Sequence, residues 1–196
     1  AGLLSDLFET LNFTYFTLSA ILFMAGIYLG PAVVEKNITL LLIYPRWVKR
    51  QMEKYFKTKR GFIVIFLLIF ALNNISIFSS ILSGFLIILP PFAAILTGLN
   101  VAIISYEMMG WQGIFHILVN PVAWLEFPAA WLGFGLAFQL AQAQLTGPDL
   151  QATLTLFNSF LPVYLKYIMT LLLAAAILET VLIVLADRFE DNGGER

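Results

Sequence analysis

The sequence predicts an all-α membrane protein: a polytopic helical bundle of about five transmembrane helices, with a cytoplasmic amphipathic helix and a short interfacial or re-entrant segment. Three observations carry this reading. Sixty percent of the 196 residues are hydrophobic and 12% are charged, about half the charged share of a soluble domain. A chain this short would leave large apolar areas exposed in water, whereas lipid accepts them. Uncharged runs of membrane-crossing length recur along the chain, and eight of the eleven Lys and Arg residues fall between Lys36 and Arg60.

The first span, residues 11–29, is nineteen residues without a charge, close to the ~20 that cross the hydrocarbon, and it is expected to end at Gly30-Pro31. Residues 1–10 hold Asp6 and Glu9 and no basic stretch, so this helix reads as retained and not as a cleaved signal. Forty-five uncharged residues, 62–106, are the right length for two spans, 62–86 and 90–106. Pro90-Pro91 suits the first turn of the second of these, where a missing N–H has no helical partner to lose. Residues 110–120 are too short to cross. A fourth span covers 121–142, a polar stretch with Gly147-Pro148 follows, and the fifth covers 161–186. The whole of 1–196 reads as one integral membrane domain.

Short loops rich in Lys and Arg stay in the cytoplasm. The basic loop 31–60 is therefore expected inside, which puts the N-terminus outside and the C-terminus in the cytoplasm of a multi-pass protein of the cell membrane. Within the loop, Pro45 is expected to open a helix whose apolar Val48, Met52, Tyr55 and Phe56 recur at three- and four-residue spacing. Arg46, Lys49, Arg50 and Lys54 occupy its other faces and suit the anionic leaflet, a docking partner, or topology alone. Small residues at four-residue spacing, Ala129, Gly133, Ala137 and Ala141, together with Gly26 and Gly30 and with Ser76, Ser80 and Gly84, mark close helix packing. They serve either the internal bundle or a homodimer.

Ionisable residues inside a span are functional candidates by default. Lys166, between Tyr164 and Tyr167, can snorkel to the headgroups. Glu126 lies one turn before Ala129 and Ala130 and two turns before Gly133, Glu179 follows Ala175 and Ala176, and both are expected to face the bundle. At ~1.5 Å per residue, Glu126, Asn100 and Glu179 lie about 8, 9 and 10 Å from the cytoplasmic ends of their helices, at one depth. Pro128 cannot donate to the Trp124 carbonyl and leaves a helix break beside Glu126. These features predict an inner-leaflet polar pocket of Asn100, Glu126 and Glu179, with Asn73 and Asn74 deeper, able to share a proton or hold a cation. The plainer reading makes the asparagines interhelical hydrogen-bond glue and Glu126 a neutral acid.

The order Asn73-Asn74, Gly84, Asn100, then Pro121, Glu126, Pro128 and Ala129 resembles the stage II sporulation protein M family of integral membrane proteins over about residues 60–140. Members typically carry an asparagine pair, an Asn-Gly, and a Pro-His-Gly-x-x-Glu-Leu-Pro-Ala stretch. Here Val101 follows the second asparagine, Val122 and Ala123 stand in the His and Gly places, and Phe127 replaces the Leu. The resemblance implies a membrane-embedded protein that, in spore formers, works with cell-wall hydrolases during engulfment. Relatives also occur where no spores are made, so the sporulation role is not carried over.

Two functions follow. One is a non-enzymatic membrane scaffold or assembly factor whose partners are the bilayer and a membrane or cytoplasmic protein. The alternative is a transporter or channel for an ion or small solute through the Glu126 pocket. The chain has no Cys and one His, which excludes thiolate sites and a His-Glu-x-x-His zinc site, and no phosphate-binding loop or nucleophile elbow occurs. No catalytic residue, cofactor or nucleic-acid partner is expected. Metal binding stays open, because His116 with Glu107 or Glu126 offers fewer ligands than a closed site needs.

Overall fold

A computed structural model describes residues 10–56, 61–147 and 149–193, with side chains for 10–51, 61–147 and 149–186. It is all-helical. α1 (Phe13–Glu35) starts at Asn12, whose side chain accepts the Thr14 amide at 3.0 Å, satisfying one of the orphan donors of a helix start. Gly30-Pro31 does not end it. Pro31 lies inside the helix and is buried, and although it leaves the Ile27 carbonyl without its usual donor, the one further turn buries Val33 against Leu42, Leu99 and Ile103.

α2 (Thr39–Phe56) is the basic helix. It begins well before Pro45, which sits within it on a buried face. The reason is Leu42: fully buried in the same cluster, it fixes the first turns at the cost of the one backbone bond that Pro45 cannot make. The side chains of Met52, Lys54, Tyr55 and Phe56 lie outside the described residues.

α3 (Phe62–Leu82) runs into a 3₁₀ turn, Ser83–Phe85, and α4 (Leu89–Met109) starts with Pro90 in its first turn. Gly110, at φ 59°, makes the sharp corner into α5 (Trp111–Val119), a conformation that suits glycine. The axis then bends by 81° into α6 (Ala123–Thr146). α7 (Leu150–Val163), capped by Asp149, continues through a π-helical turn, Tyr164–Ile168, into α8 (Met169–Gly193). The last rod therefore begins well before residue 161. Its candidate span covers 37 residues, about 55 Å of helix, longer than the ~30 Å hydrocarbon. Among the described residues four helices are long and apolar enough to cross a membrane, and the bent α5–α6 pair makes a fifth if it is one span. The protein is a multi-pass membrane protein.

α6 is the central helix. It contacts α1, α3, α4, α5, α7 and α8, and ten of its residues are buried. Facing protein on most sides, it does not need the apolar surface of its neighbours, which is why a helix with three glutamines can sit inside a membrane bundle.

The largest interface joins α1 to α4, and glycines make it. A Cβ on Gly26 would strike the Ile95 carbonyl and the Leu99 amide, one on Gly98 the Phe23 carbonyl, and one on Gly30 the Ala102 methyl. The register rises together on both helices, so the two run parallel with backbones in direct contact. Gly133 meets Ile77, and Gly84 meets Ala137 and Leu140, so α3 and α6 are parallel as well. Gly26, Gly30, Gly133, Ala137 and Ala141 are thus covered by the chain's own helices, the first of the two uses the sequence offered. A homodimer would have to form elsewhere.

Gly26→Leu should destabilise the protein in detergent by roughly 3 kcal/mol, the cost of overpacking a filled contact. Gly61→Ala, with open space around it, should change the same unfolding curve little. Equal effects would mean that α1 and α4 do not meet at Gly26.

Candidate functional site

The start of α6 lies deeper in the bundle than its position in the chain suggests. Phe127 packs on Phe23 with ring centroids 4.9 Å apart, and Phe16 meets Trp131 further along, so α1 and α6 are antiparallel. Phe23 lies twelve residues before Glu35, about 18 Å along α1. The α5 segment, with Ile114 and Ile117 buried beside Phe23, Ile27 and Ala123, carries the chain inward before α6 begins. Glu126 is therefore near the middle of the bundle and not about 8 Å from its end. Counting from a helix terminus fails here because the α6 terminus lies level with the middle of α1 and not with its end.

At this depth Glu126 meets α3. The Asn73 amide donates to the Glu126 carboxylate at 2.5 Å, eleven residues into α3. A cavity of about 160 Å³ opens beside the pair. α3 supplies Asn73, Ser76, Ile77 and Ser80, α4 supplies Thr97 and Val101, and α6 supplies Glu126, Phe127, Ala130 and Phe134; Phe23 and Leu172 close it. The Ser80 hydroxyl donates to the Ser76 carbonyl at 2.9 Å and the Thr97 hydroxyl to the Ala93 carbonyl at 2.7 Å. Each hydroxyl oxygen is left as an acceptor.

The other expected site residues lie around this cavity. Glu179, half-buried on α8, stands seven residues, about two turns, beyond Leu172 and does not line the space. Asn100, between Thr97 and Val101 on α4, is half-buried and outside the lining. Asn74 points elsewhere: its amide donates to the Phe70 carbonyl at 2.7 Å, and its oxygen accepts the Tyr164 hydroxyl at 2.9 Å. That bond ties α3 to the π-helical turn. Adjacent asparagines on a helix are ~100° apart, so one faces the cavity and the other the neighbouring rod. Pro128 follows Glu126 within α6 and lines a separate apolar cavity with Trp124 and Trp131.

His116 lies by Ser105, Met109 and Asn120, away from Glu126, and Glu107 is held by Arg46. Among the described residues no three His, Asp or Glu side chains gather as metal ligands would.

A second polar cluster fixes the basic end. The Tyr106 hydroxyl donates to Glu35 at 2.6 Å, and the Arg46 Nε donates to Glu107 at 2.7 Å. With Leu42 buried between α1 and α4, α2 is held against the bundle. Arg50 and Trp47 are exposed, and Lys49 is half-buried. Sequence reasoning missed Arg46–Glu107 and Thr97, which no local spacing connects, and it also missed the Ala94, Gly98, Ala102 stripe, which four-residue spacing does reveal.

Asn74→Ala and Tyr164→Phe should each cost about 1 kcal/mol, and the double variant should cost no more than the larger single effect, as for two partners in one hydrogen bond. Additive losses in denaturant unfolding would show that the pair is not coupled.

A family model described as stage II sporulation protein M matches residues 19–182, a longer stretch than the motif residues alone cover. Comparison with curated proteins and with solved structures gives no match.

Proposed function

From the chain's membership of the stage II sporulation protein M family, we propose that it acts as a non-enzymatic membrane scaffold, with α2 as its cytoplasmic docking element. The observation that carries this is the fixed seat of α2: Leu42 is buried between α1 and α4, and Arg46 is paired with Glu107. A helix that served only to orient the chain would need its charges and not a packed seat. Held in this way, α2 presents Arg50, Tyr44 and Trp47 on an exposed face, a cationic and aromatic surface suited to an anionic leaflet or an acidic partner.

The basic loop supports a cytoplasmic position for α2, with the N-terminus outside and the C-terminus inside. The alternating directions of α1, α3, α4, α6 and α8 are compatible with it. Solute passage through the Glu126 cavity ranks second. Its acid and hydroxyls favour it, but the sparse contact between α3 and α4 opens the cavity sideways, toward lipid.

Reversing Lys49 and Arg50 to Glu, which leaves the Arg46–Glu107 pair in place, should lower co-purification of a bound partner several-fold without changing the unfolding curve. Recovery equal to that of the unaltered protein would contradict a docking role for α2. A single cysteine at Lys49 in this cysteine-free chain should also resist an impermeant thiol reagent added to intact cells.

A further inference from the structure

α3 is the least covered of the candidate spans: 17% of its window is buried, against 28–39% in the other three. It barely touches α4, and the gap between them leads to the Asn73–Glu126 pair. Ser76 is exposed at the lip of this gap, and Ser80 and Thr97 are half-buried behind it. Small hydroxyl side chains facing hydrocarbon give lipid nothing to bind, but they let another helix backbone approach closely.

The chemistry of the gap is one-sided. Glu126 and the oxygens of Ser76, Ser80 and Thr97 are acceptors, and no Lys or Arg lines the cavity. The Asn73 amide is the donor that reaches Glu126. What complements this is a cation with several N–H groups.

Depth selects the carrier of that cation. Glu126 is level with Phe127, about 18 Å along α1 from Glu35, where lipid headgroups do not reach. A hydrated inorganic ion would have to shed its water to arrive from the side, whereas a helix can bring a lysine or arginine to mid-membrane when the residue faces a partner acid.

We propose that the α3–α4 gap is the seat of a partner protein's transmembrane helix bearing a lysine or arginine near its midpoint, with Ser76 and Ser80 against the incoming backbone and Glu126 pairing the charge. This rests on the scaffold reading and names the chemistry of one partner.

The test uses the full chain in lipid vesicles, labelled for energy transfer with synthetic apolar helices of about 20 residues that carry either a central Lys or a Leu. The Lys helix should associate about tenfold more tightly than the Leu helix, the size of one hydrogen-bonded polar pair in lipid. Glu126→Gln should remove that preference. So should Ser76→Leu, which fills the lip without touching the packed interior and so keeps the fold. Equal association of the two peptides, or a preference that survives both substitutions, overturns the proposal. If a long-chain alkylamine displaces the Lys helix as well as a second Lys helix does, the cavity takes cationic amphiphiles and the helix seat is again overturned. Reversal of Lys49 and Arg50 should leave the peptide preference intact, so failure here is distinguishable from failure of the scaffold reading.

Discussion

The contact between the α1 and α4 backbones is the constraint on which the rest of the bundle depends. Lipid offers helices little reward for burying apolar surface against each other, so association rests on how closely they approach. Gly26, Gly30 and Gly98 remove the side chains that would hold α1 and α4 apart, bringing Cα–H groups against carbonyl oxygens. The pair is parallel, so both helices deliver their C-terminal ends to the same side. That is why Glu35 finds Tyr106, Arg46 finds Glu107, and Leu42 finds a site between Val33, Leu99 and Ile103. The seat of α2 is built by the helices that flank it.

The same arrangement sets the depth of the candidate site. α4 ends at Gly110, and α5 turns inward along it: a Cβ on Gly113 would meet the Ser105 carbonyl. α6 then begins opposite the middle of α1, which brings Glu126 to Asn73. An acid at that depth is costly unless it finds a partner, and the Asn73 amide supplies one. The short α5 segment, with the sharp bend after it, thus lets α6 begin level with the middle of α1 and places a polar pair there.

Much of this was legible in the residues. The five apolar runs, the amphipathic basic segment and the short 110–120 piece follow from charge spacing and length, and the Pro90 helix start follows from backbone chemistry. The inward orientation of Glu126 was also readable, because Ala129 and Gly133 lie on its side of the helix. What was not readable depends on tertiary distance. Pro31 and Pro45 are helix breakers locally, yet both lie inside helices because Val33 and Leu42 bury on the far side of each. Asn73 and Asn74 look equivalent as a pair, and only the positions of α6 and the π-helical turn separate their roles. The depth of Glu126 was misjudged for the same reason, since sequence counts residues from an end but not the level at which that end sits.

The most direct test of this arrangement is the immersion depth of the α6 start, read from a spin label at Trp124→Cys, an exposed position, by collision with oxygen and with a water-soluble nickel chelate. Strong oxygen and weak nickel collision, the reverse of a label at Tyr44→Cys on α2, is the predicted result. Nickel access at Trp124 equal to that at Tyr44 would put α6 at the membrane surface and contradict the placement of Glu126.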